Sequence, residues 1–295
     1  MRTWRHPLIV VGYIFYAVAL FAVFAYLKFP SQEARAMMLT LLNRHGLEQV
    51  RIATVQPLAS VGIALRDVRY VHDVNGQVLD LLRAPELRLY LRTLVPFTNP
   101  LRLRFEGDLY GGAVSGTIKW QHNGQDAMMA IQAHLRDIRP GVHPAIARLG
   151  NAVVEGKLMG NLSLRVPNSV WQEGEGQLML QGDGGRLTGL EIAGMPLPPL
   201  AYEQLSGDVV WQTHSVVVRD FLIRGRDWQF DIQGKLNLAE PLPASLLDLT
   251  LRVQTSDALE QQLGLVGTAL KQRRDRRGFS SFKIGGTLAQ PHFVL

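Results

Sequence analysis

The sequence predicts a mainly β protein, in which an N-terminal transmembrane helix precedes a long, curved antiparallel β-sheet domain with about three short helices. Three observations predict this class. Residues 8–27 form one uncharged apolar run. Most of the chain after residue 50 alternates apolar and polar residues, which is typical of strands with one buried face. Glycine or proline separates nearly all of these segments, as at Asn75-Gly76 and Asn123-Gly124.

The apolar run at residues 8–27 predicts a membrane anchor. It contains twenty residues, of which twelve are Leu, Ile, Phe or Val. At about 1.5 Å per residue, a helix of this length spans roughly 30 Å, the thickness of a bilayer's hydrocarbon core. Ala17-Val18-Ala19 has the form of a signal-peptidase site. Because cleavage there would leave the apolar residues 20–27 as a new terminus, we expect the run to be retained.

The basic residues that flank this run leave its orientation balanced, since Arg2 and Arg5 precede it and Lys28 and Arg35 follow it. The α-amino group and the short head at residues 1–7 favour a cytoplasmic N-terminus. We therefore expect a single-pass inner-membrane protein. Its remaining residues would lie in the periplasm of a bacterium with two membranes.

The composition limits what the exported domain can do. Hydrophobic residues make up 47% of the chain and charged residues 19%, which is typical of a folded protein. The absence of cysteine excludes disulfides, thiolate metal sites and cysteine nucleophiles. The net charge of +6 comes mostly from arginines that alternate with apolar residues. Because no nucleic-acid motif accompanies these arginines, we expect no nucleic-acid partner.

Residues 28–46 predict a juxtamembrane amphipathic helix. Ser31 suits the N-cap position and Gly46 suits a C-terminal stop. Apolar residues recur there at helical spacing, at Ala34, Met37, Met38, Leu41 and Leu42. This apolar face either packs against the first strands of the sheet or lies on lipid. We favour packing because the polar face is not strongly basic.

Residues 47–295 predict a β-rich domain, with a candidate sub-boundary at 140–152. Its strands are indicated by apolar residues at every second position, as in Leu87/Leu89/Leu91, Leu101/Leu103/Phe105 and Leu249/Leu251/Val253. In one further strand we expect alternate residues to be buried, namely Trp228, Phe230 and Ile232. We expect the polar residues between and before them to be accessible, namely Asp227, Gln229 and Asp231.

A short pattern recurs within these strands: any residue, a glycine, a polar residue and then an aliphatic residue. Seven of its occurrences have the glycine at positions 107, 116, 156, 176, 207, 234 and 286. Glycine inside a strand usually marks a bulge, a bend or a close approach of two backbones. The pattern therefore predicts a sheet that curves at a similar point in successive strands.

Two further helices are predicted at residues 144–149 and 256–272, the second weakened by Gly264 and Gly267. The second helix ends in a basic cluster of Lys271, Arg273, Arg274, Arg276 and Arg277. Cations suit a helix C-terminus, so we favour a solvated helix end. The alternative is a site for anionic lipid headgroups or for an acidic partner.

No catalytic, cofactor-binding or metal-binding residues are predicted, and we expect the protein not to be an enzyme. The histidines never show the short spacings of a zinc site. Ser280-Ser281-Phe282-Lys283 has the form Ser-x-x-Lys, but that nucleophile motif requires a helix and this segment leads into a strand. The domain is therefore expected to act by binding.

Three segments carry a resemblance to a known family. Phe29-Pro30 leads from the apolar run into the helix, and Phe105-Glu106-Gly107-Asp108-Leu109-Tyr110-Gly111-Gly112 lies within the β-rich domain. The chain closes with Gly285-Gly286-Thr287-Leu288-Ala289-Gln290-Pro291. In this order the chain resembles the N component of type II secretion systems (the GspN family), and more distantly it is similar to AsmA-like envelope proteins.

The resemblance implies an inner-membrane accessory protein with a periplasmic β-domain, and it supplies no catalytic residues. Two functional hypotheses follow. The first is a scaffold that binds other components of the secretion system through sheet edges or loops. The second is an AsmA-like lipid-binding or lipid-transfer protein with an apolar groove, for which phospholipid would be the partner.

Overall fold

The computed structural model describes residues 29–44, 49–58, 62–74, 77–92, 99–124, 126–142, 153–168, 170–189, 191–192, 195–196, 198–240, 244–288 and 290–294. These residues form one large antiparallel sheet of fifteen strands, a two-stranded hairpin and three α-helices. The predicted anchor at 8–27 and the predicted helix at 144–149 lie outside the described residues. Within them, no helix has both the length and the apolarity needed to cross a membrane.

The helices are α1 (Ser31–Arg44), α2 (Asp257–Leu263) and α3 (Leu265–Gln272). The strands of the first half are β1 (Val50–Arg51), β2 (Thr54–Leu58), β3 (Gly62–Val74), β4 (Gln77–Leu91), β5 (Leu101–Leu109), β6 (Gly112–Asn123), β7 (Asp126–Ile138) and β8 (Val153–Pro167). Those of the second half are β9 (Glu175–Thr188), β10 (Glu191–Ile192), β11 (Met195–Pro196), β12 (Leu200–Gln212), β13 (Ser215–Arg224), β14 (Trp228–Asn237), β15 (Leu246–Thr255), β16 (Ser280–Gly286) and β17 (Pro291–Val294).

The sheet is an antiparallel meander in which almost every strand pairs with the next one along the chain. Its order is β1-β3-β4-β5-β6-β7-β8-β9-β12-β13-β14-β15-β16-β17, and β2 also pairs with β3. The hairpin of β10 and β11 falls between β9 and β12, which pair with each other directly. β7 also pairs directly with β8, so the sheet continues across residues 140–152.

The strand register places apolar residues in continuous rows across the whole sheet. The central row joins residues that face one another on successive strands: Pro57, Ile63, Leu89, Phe105, Gly116, Ala133, Leu162, Leu178, Val209, Val218, Gly234, Leu249, Ile284 and Phe293. Each member is apolar or glycine. At about 4.8 Å between strands, this row is about 60 Å long.

Two parallel rows flank the central one and are apolar in the same way. One contains Val55, Leu65, Leu87, Gly107, Val114, Leu135, Gly160, Leu180, Gly207, Phe221, Ile232, Leu251 and Phe282. The other contains Leu91, Leu103, Ile118, Ile131, Leu164, Gly176, Trp211, Val216, Leu236 and Leu247. We call these three rows the apolar stripe. The opposite face of the sheet, the polar face, carries most of the charged residues of the strands.

The same seven glycines of the recurring pattern lie in strands, where a side chain would not fit. A Cβ atom added at any of them would come closer than 3.0 Å to a neighbouring atom. At Gly116 the added Cβ would overlap the carbonyl oxygen of Gln132 and lie 2.6 Å from Cζ of Phe105. These glycines therefore let strands and large side chains approach closely on the apolar face, as the pattern predicts.

Two further close approaches leave room for the buried side chain of Tyr202. A Cβ at Gly156 or Gly185 would overlap its phenol group, and its hydroxyl donates a hydrogen bond of 2.8 Å to the carbonyl oxygen of Glu155. Burial raises the pKa of Tyr202 above its ordinary value. Gly156 lies at a β-bulge and has a φ of 134°, a conformation that residues with a side chain rarely adopt.

Helix α1 packs against the first strands of the sheet, as we favoured. Ala34, Met38 and Leu42 join a core cluster with Ile52 and Val55. Arg35 donates a hydrogen bond of 2.7 Å from Nε to the carbonyl oxygen of Ile52. The prediction for Met37 is wrong, because its side chain is 68% exposed. The helical spacing identified the correct side of the helix but extended the apolar face one residue too far.

The helix predicted at 256–272 is two helices, because Gly264 interrupts it. Gly264 has φ 57° and ψ −116°, which is not helical, so α2 ends before it and α3 begins after it. Ser256 caps α2, since its Oγ accepts a hydrogen bond of 3.2 Å from the backbone N–H of Leu259. Both helices pack on the apolar stripe and its margin through Leu259, Val266 and Leu270.

One predicted strand face is partly wrong. Trp228 is buried, Phe230 and Ile232 are half-buried, and Asp227 is accessible, as expected. Asp231, however, is buried rather than accessible, and Gln229 is half-buried. The register places Arg252 of β15 directly opposite Asp231, and the two form an ion pair. The carboxylate is covered because its partner lies on the neighbouring strand.

The close approach at Gly116 predicts the effect of a methyl group. G116A should destabilise the fold by about 1–3 kcal/mol, because an overpacked site must shift the backbone or the Phe105 ring. The control S115A changes the adjacent residue on the polar face and should cost less than about 0.5 kcal/mol. Chemical denaturation of both variants measures the difference. Equal stability of G116A and the parent chain would mean that the close approach does not constrain the sheet.

Candidate binding surfaces

The helices cover the apolar stripe toward its two ends, which we call its flanks. α1 covers β2 to β4 through the cluster around Ile52, Val55 and Leu65. α2 and α3 cover β12 to β16 through two clusters that include Leu205 and Val253. Within the described part of the chain, these helix-bearing clusters contain no residue of β5, β6 or β7.

Among the described residues, the middle of the apolar stripe therefore lies outside the clusters that the helices form. Ile118, Ile131, Leu162 and Leu178 are half-buried there, whereas Phe105, Ala133 and Leu164 are buried. The stripe residues under the helices are mixed in the same way, since Leu65 is buried and Leu251 is half-buried. The polar neighbours of these middle residues on the same strands, such as Gln132, are exposed. The arrangement offers an elongated apolar surface that can bind a long apolar molecule.

A second surface is the outer edge of β4. This strand extends from Gln77 to Leu91 but pairs with β5 only over its last five residues, Leu87 to Leu91. No strand in the described ranges pairs with this side of residues 77–86. Leu82 on this stretch is 41% exposed, and the backbone N–H of Arg83 donates a hydrogen bond of 3.3 Å to Oη of Tyr110. Apart from the N–H of Arg83, the backbone groups on this side have no strand partner in the described ranges, and an edge of this kind can add a partner strand.

A buried ion pair fastens the helices α2 and α3 to the sheet. Glu260 is 6% exposed, and its Oε1 accepts hydrogen bonds from Arg274 and, at 2.7 Å, from Oγ1 of Thr255. Arg274 also donates a hydrogen bond of 3.2 Å to the carbonyl oxygen of Thr255 and lies 3.6 Å from a carboxylate oxygen of Asp257. The pair links the start of α2 to the segment that follows α3.

The rest of the basic cluster points outward. Lys271, Arg273, Arg276 and Arg277 are exposed, and the guanidinium of Arg273 lies 5.7 Å from the ring centroid of Phe282. Asp275, the acid within the cluster, accepts hydrogen bonds of 2.9 Å and 2.8 Å from the backbone N–H groups of Phe279 and Arg277. The hydrogen bond from Phe279 lowers the pKa of Asp275 most, and the bond from Arg277 lowers it further, so this pKa lies below its ordinary value.

The residues that resemble a catalytic motif are separated. Ser280 is buried, and its Oγ donates a hydrogen bond of 2.6 Å to the carbonyl oxygen of Leu270, so it holds α3 to the sheet. Lys283 is three residues further along the same strand and is exposed on the polar face. Among the described residues, no three side chains of His, Asp or Glu come together as metal ligands.

The polar face carries a depression of about 330 Å³ that is lined mainly by charged residues. Two ion pairs run along its strands, Arg88 with Glu86 and Arg104 with Glu106. Because these charges neutralise one another at an exposed surface, each pair contributes little and leaves no excess charge for a ligand. We assign this depression no binding role.

The buried ion pairs are the features that reasoning from the sequence missed. Asp231 and Arg252 occupy ordinary polar positions of their strands, and only the register brings them together. Glu260 and Arg274 are fourteen residues apart along the chain. One signal was present in the sequence. Glu260 lies beside the apolar face of its helix, and a carboxylate in that place needs a partner if it is buried.

Comparison of this chain with protein-family models, with curated proteins and with solved structures finds no match.

The ion pair of Glu260 and Arg274 predicts an asymmetric response to substitution. R274M should destabilise the fold by about 3 kcal/mol, because it leaves the buried Glu260 carboxylate without its cation. The double variant E260M/R274M should be more stable than R274M, since no buried charge remains.

The control for this cycle is R276M, which removes an exposed arginine two positions away and should cost less than about 0.5 kcal/mol. Urea denaturation of the four chains gives the comparison. A loss from R274M no larger than that from R276M would show that the buried pair does not hold the helices.

Proposed function

We propose that this protein is an inner-membrane-anchored accessory component of a type II secretion system that acts by protein–protein interaction in the periplasm. The resemblance of the sequence to the GspN family supports the setting, and the apolar run at residues 8–27 supports the anchor. The single observation that carries the mode of action is the open edge of β4, over residues 77–86.

An open edge is suited to binding because its backbone groups need hydrogen-bond partners. A partner strand can pair with β4 upstream of Pro85, which has no N–H to donate. Main-chain hydrogen bonds would supply affinity, and side chains such as Leu82 and Arg83 would select the partner. The other free edges of the described sheet are much shorter, with four residues in β17 and five in β2.

The apolar stripe favours a second candidate function, that of an AsmA-like lipid-binding or lipid-transfer protein. A row of fourteen apolar or glycine residues crosses the sheet without a polar interruption. In its middle, Phe105 and Ala133 are buried and Leu162 and Leu178 are half-buried. Acyl chains are elongated and apolar, and they would bury these side chains if the sheet curved around them. In this case the helices α2 and α3 would close one flank of the groove.

Photo-crosslinking in cells separates the two candidates. The photoreactive residue p-benzoylphenylalanine replaces Leu82 on the β4 edge, Ile131 on the apolar stripe, or Gln132 as a control. Gln132 is next to Ile131 on the same strand but faces the other side of the sheet. Scaffolding predicts adducts with inner-membrane secretion components from position 82, and none from position 132.

Lipid binding predicts a different result from the same set of variants. Position 131 should then form phospholipid adducts, which mass spectrometry of the purified chain detects, and position 132 should not. Protein adducts from position 82 without lipid adducts would support the scaffold. Lipid adducts from position 131 without protein adducts from position 82 would contradict the scaffold and support the second candidate.

A further inference from the structure

The four exposed cations Lys271, Arg273, Arg276 and Arg277 form one charged surface, which we call the basic surface. They occur within seven residues, at the end of α3 and in the loop that follows. None of them forms an ion pair with a carboxylate within the described ranges. Glu260 and Asp257 lie against Arg274. Asp275 accepts hydrogen bonds from backbone N–H groups of the loop, and its charge interacts with that of Arg277.

A stabilising role at the helix end does not account for this surface. Cations within the last turn of a helix interact favourably with its dipole, and this effect falls off beyond that turn. Lys271 lies in the last turn of α3, and Arg273 is the first residue after the helix. Arg276 and Arg277 lie further along the loop. Arg274 is the member of the cluster whose guanidinium pairs with a buried carboxylate, and Arg273 lies over the Phe282 ring while remaining exposed.

We infer that the basic surface binds the anionic headgroup surface of a lipid bilayer and so holds this corner of the sheet against the membrane. Clustered lysines and arginines are attracted to anionic lipids, and each adds to the affinity. Leu265 at the start of the same helix is 77% exposed, so α3 presents an apolar side chain as well as cations. Helices that lie on membranes combine these two features.

The inference favours a bilayer over an acidic protein because of the proposed anchor at residues 8–27, on which it rests. An anchored domain remains near the lipid surface, so even weak headgroup contacts are made at a high effective concentration. The contact would place the flank of the apolar stripe that α2 and α3 cover next to the bilayer. A domain held in this way would have one preferred orientation on the membrane.

The test uses the full chain in lipid vesicles and a fluorophore at the end of α3. The chain has no cysteine, so Q272C provides a single labelling site at an exposed position. Vesicles contain phosphatidylcholine alone or phosphatidylcholine with phosphatidylglycerol, each with a nitroxide-labelled headgroup that quenches nearby fluorophores. We expect quenching at least about threefold stronger with phosphatidylglycerol, and its loss in about 1 M salt, where the Debye length is about 3 Å.

Two variants identify the residues responsible. K271Q/R273Q/R276Q/R277Q should lose the effect of phosphatidylglycerol, and R276Q/R277Q, which leaves α3 unchanged, should lose part of it. The control R102Q/K119Q/R165Q/K235Q removes the same charge from exposed residues of the polar face and should keep the effect. Thermal unfolding of each chain confirms that the variants are folded.

Two results would overturn the inference: equal quenching in the two kinds of vesicle, or an equal loss of the phosphatidylglycerol effect in the control variant. A separate measurement shows whether residues 8–27 fail to anchor the chain. In that case the unsubstituted chain would not float with vesicles in high salt, whatever the quenching at position 272.

Discussion

The apolar stripe is the constraint on which the rest of this fold depends. A single open sheet has no second sheet to cover its apolar face, so its side chains must find cover from neighbouring strands and from a few helices. The register achieves this by aligning apolar residues in three rows, of which the central one extends from β2 to β17. A shift of one residue in any strand would move its apolar set to the polar face.

Glycines and helices help to bury the apolar face in different parts of the sheet. On the stripe, glycines such as Gly116 and Gly207 leave room for the Phe105 and Phe221 rings of neighbouring strands. At the flanks, α1 and the pair α2 and α3 add a second layer, and the buried pair of Glu260 and Arg274 fixes the latter. In the described part of the chain, the middle strands β5 to β7 have only the glycines. Their apolar side chains range from buried, as at Phe105 and Ala133, to half-buried, as at Ile131.

The two candidate functions use different consequences of the same architecture. An open sheet has edges, and the outer side of β4 gives a scaffold a strand with which to bind. An open sheet also has an apolar face, and its uncovered middle gives a lipid-binding protein its surface. The basic surface is compatible with either function, because both proposals place the domain beside a membrane.

Period-two alternation was sufficient to predict the antiparallel sheet and some of its buried residues, among them Phe105, Trp228 and Val253. The seven patterned glycines all lie at close approaches, because the need for space is a local property that the sequence records. The break at Gly264 was visible as a weak point but not as a helix end. The burial of Asp231 and Glu260 could not be predicted, because it depends on which distant arginine the register and the loop bring near.

The accessibility of the middle of the apolar stripe can be tested directly by cysteine labelling of the full chain in mild detergent. Ile131 lies in the middle of the stripe, and Leu205 lies under α2. I131C should react with a water-soluble maleimide at least roughly tenfold faster than L205C, whose labelling requires the helices to open locally. Equal protection of the two positions would contradict this description, because a further layer would then have to cover β5 to β7.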